Sequence, residues 1–284
     1  MRDIAAEIRT TVVPSGAVAI WWLGQFGFVI KGQGRTLGFD LYLSDYPGNV
    51  TRSYPPLVRP GGLKGLDLVF CTHDHIDHLD PWTLQPLAEA SPDAVVVTPE
   101  LCVPHAAEAF PPERIVASRA DSPLKIKDVE IWPIPAAHDR LENGEHGHRF
   151  QGYVVRLDGV AICHTGDTVM YDGMVERLRA RQVDVLLAPI NGLDYFRTKR
   201  DIIGNLSARE AAELAVAAGV KLLIPAHWDL FAGNAENPGH LFEHLARFHP
   251  EQPCHYMARG ERFIYHPWSQ RRRASWHSRA RWRG

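Results

Sequence analysis

The sequence predicts an α/β protein in which two β-sheets lie face to face, with helices on their outer faces. Three observations predict it. The first part of the chain is rich in short apolar strands that read as hairpins, and a similar mixture of hairpins and strand–helix alternation returns after about residue 120. No clean repeat and no linker divides the chain. Its 284 residues, 45% hydrophobic and 23% charged, have the composition of a globular protein long enough for one large domain. Residues 1–270 are therefore expected as a single domain and 271–284 as a basic, disordered tail.

Residues 17–23, rich in Val, Ile and Trp, read as a strand. Residues 26–31 and 35–41 follow, split by Gly32-Gln33-Gly34, which is a hairpin signal. Residues 42–65 hold many Pro and Gly and little periodicity, so they form a long loop of the kind that usually carries function. Residues 67–71 are a buried strand. A helix then runs from Asp80-Pro81 to about residue 90, with Asp80 as N-cap and Pro81 at the first helical position. Residues 94–98 read as a strand, 99–110 as a helix, and 114–117, 124–127 and 130–135 as short strands. After a Gly- and His-rich loop at 143–149, residues 152–157 and 160–164 make a second hairpin across Asp158-Gly159. A helix at 173–181, a strand at 183–188 and a second long loop at 189–206 come next. Ser207-Ala208-Arg209-Glu210 is a capping box, so a helix starts there and ends at Gly219. Residues 220–225 are a strand, 239–248 a helix, and 254–257 and 262–265 the closing strands.

The chemistry is concentrated in residues 72–80, Thr-His-Asp-His-Ile-Asp-His-Leu-Asp, directly after a buried strand. Three of the 15 histidines fall there within six positions. On an extended backbone His73 and His75 point the same way. Asp77 and His78 lie in the turn beyond and can face a second point nearby. Imidazole suits Zn, Fe or Mn, and a carboxylate adds a hard anionic ligand, so the pattern suits two metal ions a few Å apart. His138, Asp167 and His227 each follow an apolar run and precede a loop, where α/β proteins build their sites. Asp40, Asp74 and Asp80 are candidates to orient the ligands, with helix capping the competing use of Asp80.

Residues 73–78 resemble the His-x-His-x-Asp-His signature of the metallo-β-lactamase superfamily, and His138, Gly166-Asp167 and His227 match its later motifs in order. The resemblance implies a four-layer αββα sandwich of two mixed sheets. It also implies two divalent ions, Zn or Mn: His73, His75 and His138 on one, Asp77, His78 and His227 on the other, and Asp167 bridging. Two such ions share a water, lower its pKa towards neutrality and polarise a carbonyl or phosphoryl oxygen. Asp77 and Asp167 are the carboxylates expected at the chemistry. Members that reduce oxygen or nitric oxide usually carry Glu where His75 stands, which favours hydrolysis here. Serum-type β-lactamases often carry Cys where Asp167 stands, which disfavours antibiotic hydrolysis. Within the superfamily, Trp22-Leu23-Gly24-Gln25 and residues 40–45, 72–80, 165–168, 189–192 and 225–229 are similar to the L-ascorbate-6-phosphate lactonase branch. The Gly-Asp-Thr turn is shared with phospholipase-D-like enzymes that cleave N-acyl-phosphatidylethanolamines.

The expected activity is thus hydrolysis of a small anionic lactone or ester, with a phosphodiesterase, phospholipase-D-like or nuclease, as the alternative on the same site. A metal-binding protein without turnover is disfavoured by the complete ligand set. Asn191, Tyr195, Arg197 and Arg200 in the second long loop are the candidate substrate-binding residues, because guanidinium matches phosphate oxygens in a bidentate way. The formal net charge of −2 includes Arg271, Arg272, Arg273, Arg279, Arg281 and Arg283 in the tail, so the body is mildly acidic and nucleic acid is not an expected partner. Cys71, Cys102, Cys163 and Cys254 show no Cys-x-x-Cys spacing and fit buried thiols in a reducing compartment. With no secretory signal in residues 1–14 and no stretch near ~20 apolar residues, a cytoplasmic protein without a membrane span is expected, with a homo-oligomer left open.

Overall fold

The computed structural model describes residues 2–45, 51–138, 140–142, 144–145 and 147–267. The expected tail at 271–284 lies outside the described residues, as do 46–50 of the first long loop and Asn143 and His146 of the His-rich one. One sheet is built from β1 (Val18–Trp22), β2 (Phe28–Gly32), β3 (Arg35–Phe39), β4 (Leu68–Phe70), β5 (Val95–Pro99), β6 (Ile115–Ser118) and β13 (Arg262–Tyr265), in the order β13-β1-β2-β3-β4-β5-β6. The other contains β7 (Leu124–Ile126), β8 (Val129–Pro135), β9 (Gln151–Leu157), β10 (Val160–His164), β11 (Val185–Pro189) and β12 (Leu222–Ala226), in the order β12-β11-β10-β9-β8-β7. Both sheets are mixed. The hairpin strands pair antiparallel, whereas β3 to β6 and β10 to β12 run parallel.

The layering follows from which residues each strand buries on which side. Val18, Ile20 and Trp22 of β1 join Phe28, Ile30 and Phe39 in the core between the sheets, facing Tyr153, Val155, Ile162 and Leu187 of the second sheet. Ala19 and Trp21 face outward and are covered with Ile8 of helix α1 (Ile4–Thr10) and Leu84 and Leu87 of α2 (Pro81–Ala90). On the far side, Val154, Cys163, Leu186 and Leu223 lie under α4 (Met174–Ala180), α6 (Ala208–Ala218) and α7 (Gly239–Phe248). Strands covered on both faces read as unbroken apolar runs, which is how the central strands look in the sequence. The result is the αββα sandwich. Among the described residues no helix is long and apolar enough to cross a membrane.

Both expected hairpins turn over two residues. Gly32 pairs with Arg35, leaving Gln33 and Gly34 at φ 49° and 71°, and Leu157 pairs with Val160, leaving Asp158 and Gly159 at φ 51° and 81°. Two successive positive φ values match the right-handed twist of the flanking strands. The capping box at Ser207 and Glu210 is formed, and Gly219 closes α6 in the left-handed region. Three expectations change. The segment 99–110 is not one helix but a 3-10 turn, Glu100–Cys102, followed by α3 (Val103–Ala107). Pro104 has no N–H to give to the carbonyl of Glu100, so the helix cannot run through. Residues 254–257 form only an isolated bridge, Leu223 to Cys254, rather than a strand. The long loop at 189–206 contains a helical turn, α5 (Tyr195–Thr198), capped by the Asp194 carboxylate.

Gly166 lies between β10 and Asp167 at φ 63°, and a Cβ there would sit 2.6 Å from the Gln151 carbonyl oxygen. Gly166→Ala is expected to lower stability by roughly 2–4 kcal/mol, from backbone strain together with overpacking against an immovable carbonyl. A urea denaturation midpoint compared with wild type checks this.

Candidate metal centre

The centre forms at the ends of four strands drawn from both sheets. β4 runs into residues 72–80, β8 into His138, β10 into Asp167 and β12 into His227. Backbone bonds lock these ends together. Gln151 N–H donates to the Thr72 carbonyl at 3.0 Å, Val169 N–H to Ala137 at 2.8 Å, and His227 N–H to Gln25 at 2.9 Å. Within the cluster, the N–H groups of His78 and Leu79 both reach the His75 carbonyl at 2.9 Å. That turn separates Asp77 and His78 from His73 and His75.

Seven side chains converge. Donor atoms of His73, His75 and His138 lie within 4.8 Å of one another, and so do those of Asp77, His78 and His227. Asp167 stands between the two groups. Its Oδ1 is 3.5 Å from His78 Nε2, and its Oδ2 is 3.1 Å from His227 Nε2 and 3.9 Å from His138 Nε2. Phe150 packs its ring against His73, His75 and His138 at centroid distances of 5.2, 5.8 and 5.2 Å, shielding that group on one side.

The donor set fits divalent ions. Nε2 of His73 and of His78 are buried with no hydrogen-bond partner, as is Oδ1 of Asp167. Their other ring nitrogens are anchored: His73 Nδ1 meets Thr72 Oγ1 at 3.0 Å, and His78 Nδ1 meets Asp40 Oδ2 at 2.7 Å. Buried polar atoms left unpaired cost free energy, and a metal is the partner that free imidazole and carboxylate lone pairs suit. The electrostatics divide the site. Burial drives His73 well below the usual imidazole range and His138 down to about 4, so these rings are neutral lone-pair donors. Burial also acts on His78 and His227, but neighbouring carboxylates, Asp167 and Asp77 in both cases, outweigh it and raise them, His227 to about 9. Asp77 and Asp167 are held well below the ordinary carboxylate range despite their burial, by His78 and His227. A cation entering this half displaces protons.

Several supporting residues were not legible as such in the sequence. Asp40, named there only as a candidate, is fully buried and takes the Thr72 N–H at 2.9 Å and the Thr72 hydroxyl at 2.7 Å in addition to His78. Gln25 was missed. Its Nε2 donates to Asp77 Oδ2 at 2.9 Å and lies 3.0 Å from His227 Nε2. Asp229 holds Gln25 by its backbone N–H at 3.0 Å while accepting from Tyr54 at 2.6 Å and Arg259 at 2.9 Å. His164, also missed, bonds the Phe26 carbonyl at 2.9 Å and accepts from Gly166 N–H at 3.3 Å, which steadies the turn that presents Asp167. Asp74 is committed elsewhere, to Arg149 at 2.7 Å and His105 at 3.1 Å, and Asp80 caps α2 through Trp82 N–H at 3.0 Å.

Residues 38–228 match the family model described as the beta-lactamase superfamily domain. This chain belongs to the metallo-β-lactamase superfamily. A metal-dependent hydrolase of Pyrococcus furiosus is 30% identical over 78% of this chain and 89% of its own length. A probable L-ascorbate-6-phosphate lactonase of Escherichia fergusonii is 24% identical over 82% of this chain and 75% of its own length. In structure, the metallo hydrolase Igni18 of Ignicoccus hospitalis superposes with a TM-score of 0.66 at 19% identity, covering 88% of this chain and 98% of that one. The superfamily fold, and membership of a superfamily of metal-dependent hydrolases, are thereby established.

In this superfamily member the four residues expected at the substrate sit on the segment that folds back over 232–236. Asn191 is buried and bonded to Asn234 and Asn205 at 3.0 and 3.1 Å. Arg197 is held by Asp194 at 2.6 Å and the Ala235 carbonyl at 2.8 Å. Among the described residues Arg200 bonds the carbonyls of Phe196 at 3.2 Å and Gly233 at 3.4 Å, and Tyr195 is exposed.

The Asp40–His78 contact gives a direct test. Asp40→Asn is expected to weaken binding of the ion nearest His78 by about 10–100-fold, as loss of a carboxylate behind a ligating imidazole does. Competition against a chromophoric chelator measures it.

Proposed function

We propose that this protein is a binuclear metal-dependent hydrolase of a small anionic substrate, a phosphorylated lactone or ester. The observation that carries the proposal is the position of Asp167, within 4 Å of imidazoles from both three-residue groups. In this reading His73, His75 and His138 would hold one ion and Asp77, His78 and His227 the other, with Asp167 shared between the two groups. Bound there, divalent ions supply Lewis acidity and make hydroxide accessible at neutral pH. The chain's own groups do the rest. Asp40 and Thr72 hold the imidazoles in the tautomer that points Nε2 inward. Asp77, partly exposed and steadied by Gln25, is the carboxylate at the centre placed to pass a proton from water to the departing ring oxygen. The lactone assignment draws on the similarity to a probable L-ascorbate-6-phosphate lactonase.

Substrate phosphate is assigned to the segment carrying Asn191, Tyr195, Arg197 and Arg200. Arg200 is the more available of the two arginines, because Arg197 is already neutralised by Asp194. A phospholipid phosphodiester is the second reading. It is favoured by Leu193, Tyr195, Phe196 and Ile203, which are 52%, 68%, 73% and 42% exposed beside Lys199 and Arg200.

Two outcomes are expected. Asp167→Ala lowers kcat/KM more than about 100-fold and costs bound metal, whereas Asp229→Ala, which acts through Gln25, costs about 10-fold. Equal, mild losses in both would remove the assignment of Asp167. In a panel of a lactone with and without its phosphate, a phosphodiester and a thioester, the phosphorylated lactone is turned over best. Arg200→Ala narrows its advantage by roughly 10–100-fold, from a charge-assisted contact of about 1.5–3 kcal/mol. Turnover of the phosphodiester alone would transfer the assignment to the second reading.

A further inference from the structure

Away from the centre, α6 and α7 bring a second set of metal-competent side chains together at the outer surface. The two helices share a core, with Ala211, Leu214 and Ala215 of α6 and Leu241 and Leu245 of α7 buried in one cluster. That contact fixes what lies at its rim. Glu213 projects from α6, His244 from the last turns of α7, and His249 caps α7, its backbone N–H bonded to the Leu245 carbonyl at 2.8 Å. Glu213 Oε1 accepts from His244 Nε2 at 2.9 Å and from His249 Nε2 at 3.1 Å. The three donor atoms all lie within 4.8 Å of one another.

We propose that Glu213, His244 and His249 form a surface Zn2+ site that clamps α6 to α7, separate from the centre between the sheets. Two imidazoles and a carboxylate are a ligand set that tetrahedral Zn2+ takes, with water in the fourth position. The geometry is close to what the ion needs. Arms of about 2.0–2.2 Å give a tetrahedron whose edges are about 3.3–3.5 Å. The Oε1–Nε2 separations of 2.9 and 3.1 Å lie near those edges, and the two Nε2 atoms lie within 4.8 Å of each other. The hydrogen bonds now present direct both Nε2 atoms at one oxygen. The ion takes the place of the shared contact, and the imidazole protons move to Nδ1, which on this partly exposed surface can be solvated. The proposal is independent of the hydrolase reading, because none of the three residues belongs to the centre.

The experiment compares the full chain with Glu213→Gln and His249→Ala after equilibration with excess Zn2+ and removal of the loosely held metal. Elemental analysis is expected to show one Zn2+ fewer per chain in each variant than in wild type. Amide exchange across residues 240–249 is expected to slow on adding Zn2+ in wild type and to stay unchanged in the variants. Equal zinc content in wild type and variants overturns the proposal. If a variant fails to fold, the wild type decides: Zn2+ that leaves exchange across 240–249 unchanged also overturns it.

Discussion

The Asp40 carboxylate is buried without access to solvent, and the candidate metal centre is organised by how that charge is satisfied. One oxygen takes the Thr72 backbone N–H, and the other takes the Thr72 hydroxyl and His78 Nδ1. An isolated carboxylate there would cost several kcal/mol, so the three donors are obligatory rather than ornamental. Satisfying Asp40 fixes where the chain must turn after β4. It places His78 with Nε2 inward, and through Thr72 it sets the ring of His73. Thr72 also receives Gln151 from the opposite sheet, so the same residue ties the ligand turn to the other half of the sandwich. The charge is therefore a constraint on two sheets at once.

The fold was legible because its strands are covered on both faces. Runs such as 17–23 and 160–164 have few polar interruptions and stand between unmistakable turns. The hairpins at Gln33-Gly34 and Asp158-Gly159 and the helix boundaries at Ser207 and Gly219 depend on local geometry alone, which local sequence reports well. The segment 99–110 misled because its composition suits a helix while one proline removes the needed donor. The seven converging side chains were legible from a dense motif plus three strand ends. Gln25 and His164 were not. Gln25 acts through a side chain 202 residues from His227 in sequence, and His164 looks like any polar residue ending a strand. Only the tertiary structure supplies their partners.

Three residues that support the centre have strained backbone. Gln25, Asp40 and His227 have φ values of 51°, 42° and 58°, although none is glycine. Each left-handed residue with a side chain costs on the order of 1 kcal/mol or more, and such positions persist where the surroundings over-determine them. Here the surroundings are visible: His227 N–H is bonded to the Gln25 carbonyl, Gln25 N–H to Asp229, and Asp40 N–H to the Phe70 carbonyl. Rigid, slightly strained backbone gives short side chains a reproducible direction, and a centre of seven donors needs that.

The donors come from strand ends spread along most of the chain, and this sets the order of events in the cell. During synthesis the N-terminal segments emerge first, so the cluster at 72–80 is outside the ribosome long before His227 exists. A cation met at that stage finds two or three histidines and no bridging carboxylate. The complete binding constellation appears only after β12 has docked beside β11. In the proposed binuclear reading, a full complement of ions would therefore be held only by a chain whose second sheet has already closed.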